Sequence, residues 1–343
     1  MKKFLILFLV LIMIMVPACA TDSPAENPVG NESNDPSVDS PSNDSPSDNQ
    51  NNTPTETPEP ETNPATDFEY EISKSGDSIS IISYIGSSDM VIIPSYIDNL
   101  PVTEIKGEGT TSLQTEVFSV SKGAFQENNI IKTVVIPKTV SAISALAFAK
   151  CRNLETVDLS KSKISIISRS AFYRCTALTE IKFPNTLTMI DDDAFGECTS
   201  LVELYFPESL EEIGDRGFND CTSLKTIVIP TKLYLRCAHE ITFNNCPVLE
   251  TVIFAEGREE IDGYAFFSTT SDVTFVIPSS VKRISLYTFY LYGSETFIFQ
   301  GDCPEIIGNK TEFYGNPTIY YDPTTKGWDT CVWKDKFEMI PIG

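Results

Sequence analysis

The stretch "AFGECTSLVELYFPESLEEIG", Ala194 to Gly214, is followed almost at once by "GFNDCTSLKTIVIP", which starts at Gly217. In both, Cys stands three residues after Phe and Leu three residues after Cys. Anchoring on phenylalanine extends the pattern over most of the chain. Phe125, Phe148, Phe172, Phe195, Phe218, Phe243, Phe266, Phe289 and Phe313 follow one another at steps of 23, 24, 23, 23, 25, 23, 23 and 24 residues. A period in the twenties predicts a solenoid, in which each repeat is one coil that buries its apolar side only against its neighbours.

The unit reads IxxxAFxxCxxLxxIxFPxxL. One copy fills it with Ile167, Ala171, Phe172, Cys175, Leu178, Ile181, Phe183, Pro184 and Leu187. Leu201, Leu204 and Phe206 spell a short strand whose alternating positions point inward. Pro184, Pro207, Pro230 and Pro278 come directly after the strand, where a residue with no N–H and a fixed φ ends the ladder and turns the chain. Ala beside Phe leaves room for one large ring per coil, so the rings are expected to stack into a spine. The expected fold is a β-rich solenoid of about eight to nine coils with a parallel sheet, little helix and a cap at each end.

With these motifs the chain resembles the BspA-type leucine-rich repeats of bacterial surface proteins, over about Asp67 to Gly343. "YIGSSDMVIIPSYIDNLPVTEI" (Tyr84 to Ile105) is similar to that family's N-terminal cap, and "CPEIIG" with "PTIYYDPTTKGW" (Cys303 to Trp328) to its C-terminal closing unit. The resemblance implies an adhesive or host-interacting surface protein and names no ligand. Two places depart from the pattern. Roughly Lys106 to Val120 is inserted before the regular repeats, and the coil from Phe218 to Phe243 carries two extra residues around "YLRCAHE". Insertions in solenoids emerge as loops, often on a binding side.

The chain has nine cysteines. Cys151, Cys175, Cys198, Cys221 and Cys246 share one repeat position, where a small buried group with a weak S–H donor fits. Parallel inward Cβ vectors disfavour bridges between them, so a ladder of free thiols is expected. Cys237, His239 and Cys246 form CxHx6C, too loose for a closed four-ligand zinc site. Cys303 and Cys331 remain, and in an oxidising exterior they could pair. His239 is the only imidazole and has no Ser or Asp at a motif spacing. Asp191-Asp192-Asp193 and Glu211-Glu212 fall in turns, where solvated charge is the expectation over a glycosidase pair. "GEGTT" at Gly107 lacks the Lys and helix of a phosphate loop. No metal, cofactor or catalytic residue is therefore assigned.

Met1 to Ala18 has Lys2 and Lys3 ahead of an apolar run from Phe4 to Val16, a secretory signal rather than a membrane span. Val16-Pro17-Ala18-Cys19 resembles a lipoprotein signal in which Cys19 is lipidated, while Ala18-Cys19-Ala20 also fits an ordinary cleavage site. Ala20 to Thr66 contains no aromatic residue, Lys or Arg, but ten acidic residues and nine prolines. Such a composition cannot offset the entropy of ordering and predicts a disordered stalk. The expected organisation is thus signal (1–18), lipidated Cys and stalk (19–66), N-terminal cap with insertion (67–120), repeats (121–299) and C-terminal cap (300–343). The net charge of −23 argues against nucleic acid as partner.

On the outward side of the strands, the residue before the last inward one reads Val135, Asp158, Lys182, Tyr205, Val228, Ile253, Val276 and Ile298. The last five form an apolar stripe beside the column Thr133, Thr156, Glu180, Glu203, Thr226, Thr251, Thr274 and Thr296. β-branched neighbours pack well on any sheet. An open apolar band is also how a monomer presents a partner site, which would make Tyr205 the anchor. These features point to a lipid-anchored protein on the extracellular face of the cell membrane that binds an unidentified protein or glycan without catalysis. Extracellular glycan or cell-wall hydrolysis, and self-association as an envelope component, are the alternatives.

Overall fold

Within each of two ladders, the LxxLxF segments pair with their counterparts one repeat away, in register and parallel. Thr226↔Thr251, Ile227↔Val252, Val228↔Ile253 and Ile229↔Phe254 are typical partners. The computed structural model describes residues 61–107, 122–234, 242–263, 266–267, 272–290, 294–308, 313 and 315–342. Within these the front strands form a four-stranded ladder, from Met90–Ile92 to Glu180–Lys182, and a seven-stranded one, from Glu203–Tyr205 to Glu338–Pro341. The solenoid has about ten turns. The surplus over the expected eight to nine comes from the caps: Met90–Ile92, Thr318–Tyr321 and Glu338–Pro341 join the ladders without carrying the Phe–Cys unit.

A second ladder of two-residue strands, including Ile166–Ile167, Met189–Ile190 and Glu212–Ile213, runs along another side. Helix among the described residues is confined to three 3-10 turns, Ala65–Asp67, Leu286–Thr288 and Trp328–Thr330. Among the described residues, antiparallel pairing occurs only in the N-terminal cap, between Phe68–Ile72 and Ile79–Tyr84 and between Tyr96–Ile97 and Leu100–Ile105.

The ring spine is present and begins one ring earlier than the repeat does. Tyr84, Phe125, Phe148, Phe172, Phe195, Phe218, Phe243 and Phe266 stack with centroids 4.7–5.6 Å apart and planes within 18° of parallel. Offset stacking of this kind suits the aromatic quadrupole. Beyond Phe266 the geometry changes. Phe275 and Phe297 occupy inward strand positions that hold Val134, Val157, Leu204 and Ile227 in earlier coils. Phe275 therefore meets Phe266 and Phe289 edge-on, at 5.5 and 4.7 Å. Trp333 and Trp328 close the C-terminal end against Phe299 and Phe313.

The five expected ladder thiols, Cys151, Cys175, Cys198, Cys221 and Cys246, are free and buried. Each donates its S–H to a phenylalanine carbonyl one coil back, for example Cys151 to Phe125 O at 2.9 Å and Cys198 to Phe172 O at 3.2 Å. The position demands a small apolar group with one donor, because a buried carbonyl left unpaired is costly. Burial pushes the Cys198 and Cys246 thiols up to about 12.

Candidate functional site

The turns after each phenylalanine place side chains in columns. Glu127, Lys150, Arg174, Glu197, Asp220 and Asn245 share one repeat position and all have positive φ, between 54° and 61°. L-residues rarely take this conformation. Here hydrogen bonds from the N–H groups of Glu127, Lys150, Arg174, Glu197 and Asp220 to the next coil hold it, as from Arg174 N–H to Gly196 O at 2.9 Å. The column therefore projects one side chain per coil at the coil spacing. Lys150 reaches back to Glu127 at 3.1 Å, and Arg174 reaches forward to Glu197 with two bonds of 2.8 and 2.9 Å. The hydrogen bond from Lys150 holds the Glu127 carboxyl below its ordinary range. Arg174 also lies over the Tyr173 ring, 5.1 Å from its centroid.

Lys150 and Arg174 thus stand at the same repeat position on successive coils. With Lys122 and Arg152 they border an open groove of about 400 Å³, lined also by Glu127 and Asn129. Lys122 lies 3.7 Å from Glu127. The Arg152 backbone N–H is held by Asn129 Oδ1 at 3.2 Å, while its guanidinium has no partner among the described residues. Four cations and one carboxylate thus line a groove on a molecule of charge −23. Composition hides this groove, and its residues come from three successive coils in no sequence motif. The signal available in sequence was the like-charged step Lys150 to Arg174 at a repeat position.

The expected insertion lies mostly outside the described residues, but its ends are visible. Ala124 N–H donates to Lys106 O at 2.9 Å, so the chain leaves at Gly107 and returns at Lys122, on the margin of the groove. Gly107 is packed so closely that a Cβ there would fall 1.7 Å from Ala145 O. Cys19, Cys237 and His239 also lie outside the described residues. Among the described residues no group of three His, Cys, Asp or Glu side chains is arranged to hold a metal.

The outward apolar row is exposed unevenly along its length. Tyr205 is 56% exposed and Val228 half-buried, but Ile253, Val276 and Ile298 are 6%, 1% and 0% exposed. These three side chains alternate away from the core, which contains Val252, Phe254, Phe275 and Phe297 instead. Their row continues in register to Tyr320 and Ile340, so each has a bulky same-face neighbour on both sides. Tyr205 lacks one, because its strand heads the seven-stranded ladder and does not pair with Glu180–Lys182. The accessible part of the stripe is its N-terminal end. There the Tyr205 hydroxyl donates to Glu203 at 3.0 Å.

Two carboxylates of the turns, Asp192 and Asp193, are engaged by arginines one coil away. Asp192 accepts from Arg169 at 2.6 Å and from the Asp215 N–H at 2.9 Å. Asp193 takes two bonds from Arg216, at 3.1 and 2.9 Å. Cys303 and Cys331 come together, with their sulfurs 2.9 Å apart.

The profile of the BspA type leucine rich repeat region matches residues 109–211 and 165–295 in six copies, more than half of the chain. The chain belongs to the BspA-type leucine-rich repeat family. Solved structures to which this chain is similar include a leucine-rich repeat protein from Bacteroides ovatus, 21% identical, with 80% of this chain and 75% of that one covered and a TM-score of 0.47. A leucine rich cell surface protein from Faecalibacterium prausnitzii is 20% identical over 78% and 76%, with a TM-score of 0.42. A leucine-rich repeat protein of T. pallidum is 25% identical over 63% and 81%, with a TM-score of 0.41. No curated protein sequence matches this chain. In this BspA-type chain the phenylalanine and cysteine positions build the interior, and the αL column after them decides which charges reach the surface.

Proposed function

We propose that this BspA-type protein is a cell-surface display scaffold, anchored to the membrane through a diacylglyceryl group on Cys19 and held off it by the 20–66 stalk. Its solenoid binds a second macromolecule without catalysing a reaction. The observation that carries this reading is the groove of Lys122, Lys150, Arg152 and Arg174, with the Arg152 guanidinium unpaired. A fork of N–H donors in an open site suits carboxylate, sulfate or phosphate groups on a glycan or protein surface. The acidic remainder of the molecule repels such a partner everywhere else, which restricts docking to the groove. Tyr205 and Val228 add a separate apolar contact.

The test is binding of the mature chain to cell-surface extracts of bacteria and host at low and high salt. Parent, Lys122→Ala/Arg152→Ala and Tyr205→Ala/Val228→Asp are compared. The groove variant is expected to lose binding and the parent to lose it as salt rises. Equal binding by parent and groove variant, independent of salt, would remove the groove from the reading. Release of reducing ends from the bound glycan by the parent would favour the hydrolase alternative. Concentration-dependent growth in size would favour self-association.

A further inference from the structure

We infer that Cys303 and Cys331 are a redox pair that closes to a disulfide outside the cell and latches the C-terminal cap shut upon itself, independently of what the groove binds. The two sulfurs are 2.9 Å apart, so a small approach brings them to bonding distance. Backbone contacts hold both residues in place. The Cys303 N–H donates to Lys326 O at 2.8 Å, and the Trp328 indole N–H donates to Gly301 O at 3.2 Å. Gly327, at φ 87°, lets the chain pass Cys303 so closely that a Cβ there would sit 3.2 Å from the Cys303 Cβ. The cap is thus folded around the pair.

These two thiols differ from the other five described. Each ladder thiol is tied to a phenylalanine carbonyl and lies deep in the core, with Cys175, Cys198, Cys221 and Cys246 all raised by burial. Cys303 is half-buried at the cap, and the hydrogen bond from its thiol lowers Cys331 to about 7 while Cys303 itself is pushed up. Cys331 is therefore the thiol that gives up its proton more readily and the attacking sulfur.

The oxidant is a disulfide, carried by an oxidoreductase or a small molecule. The Cys331 thiolate attacks one sulfur of that disulfide, forming a mixed disulfide and releasing one thiolate. Cys303 then gives up its proton and attacks the Cys331 sulfur, releasing the second thiolate. Two protein thiols have lost two electrons and two protons, and the acceptor disulfide has become two thiols. The residues are 28 apart in sequence, and closing a loop of that length shifts the opening equilibrium of the cap by roughly a few hundredfold.

The experiment uses the full chain equilibrated with oxidised glutathione. Unreacted thiols are alkylated in denaturant without reductant, and the protein is digested and weighed. A peptide linked through Cys303 and Cys331, lighter by two hydrogens than the separate pieces, is expected, with Cys151 to Cys246 recovered as alkylated thiols. Limited trypsin digestion, read at Lys326, Lys334 and Lys336, is expected to accelerate by tenfold or more when dithiothreitol is added. Cys303→Ser should be cleaved at the reduced rate with or without dithiothreitol, and Cys198→Ala should keep the parent's response. Recovery of both Cys303 and Cys331 as alkylated thiols after oxidation would overturn the pair. A linked peptide without any change in cap cleavage on reduction would overturn the latch.

Discussion

Replacing stacked rings by leucine tests the central physical claim, that the coils are held by nearest-neighbour face contacts. Phe195 is fully buried, between Phe172 at 5.2 Å and Phe218 at 5.1 Å. Phe195→Leu keeps most of the apolar bulk and removes both stacking partners. At about 0.5–1.5 kcal/mol per aromatic pair the loss is roughly 1–3 kcal/mol. Phe172→Leu likewise removes contacts with Phe148 and Phe195. The double variant of neighbours then loses three face contacts, not four, and should be less destabilised than the sum by about 0.5–1.5 kcal/mol. Phe148→Leu combined with Phe218→Leu shares neither a ring pair nor a ring neighbour and should be additive within about 0.5 kcal/mol. Urea denaturation followed by circular dichroism, with the same m-value in all variants, measures both cycles. Equal coupling in the two cycles, or none in the first, would refute the stacked-ring account.

Three further outcomes are expected. Val276→Asp should cost about 3–5 kcal/mol in the same urea assay, because it buries an unpaired carboxylate, whereas Tyr205→Ala should cost under about 1 kcal/mol; similar values for both would restore the open stripe. Burial acts to raise the Glu104 carboxyl, but hydrogen bonds from Ser144, Lys106 and Ser80 outweigh it, so its folded pKa is lowered. A lowered carboxylate pKa contributes stability above the ordinary value of 4.5 that is lost as pH falls through the folded value. The melting-point gap between parent and Glu104→Gln should therefore be present at neutral pH and shrink on acidification below that value; a constant gap would contradict this. Gly107→Ala, which forces a methyl onto the Ala145 carbonyl, should lower the melting temperature, while Gly76→Ser at an open turn should do so only through its positive φ.

The period of the phenylalanines sufficed for the coil, the parallel ladders and the buried thiols, because each of these repeats at a spacing written in the residues. Tyr84 as the first ring of the stack was not legible, since nothing in the repeat marks a tyrosine in the cap. The switch to edge-on rings at Phe275 depends on a second column meeting the first in space. The stripe shows the limit most directly: hydropathy placed Tyr205, Val228, Ile253, Val276 and Ile298 on one outward row, but the row's ends and neighbours decided which of them water reaches. Likewise Lys122, Lys150, Arg152 and Arg174 are scattered among carboxylates in a chain of strong negative charge.

By itself, then, the sequence determined the repeat, its interior and its family, because burial against an identical neighbour constrains the same position in every coil. Only the tertiary structure decided where the cations gather and which thiols meet. Those outcomes depend on distances between different coils and between a coil and its cap, and a left-handed turn residue or a close glycine sets them without any periodic trace.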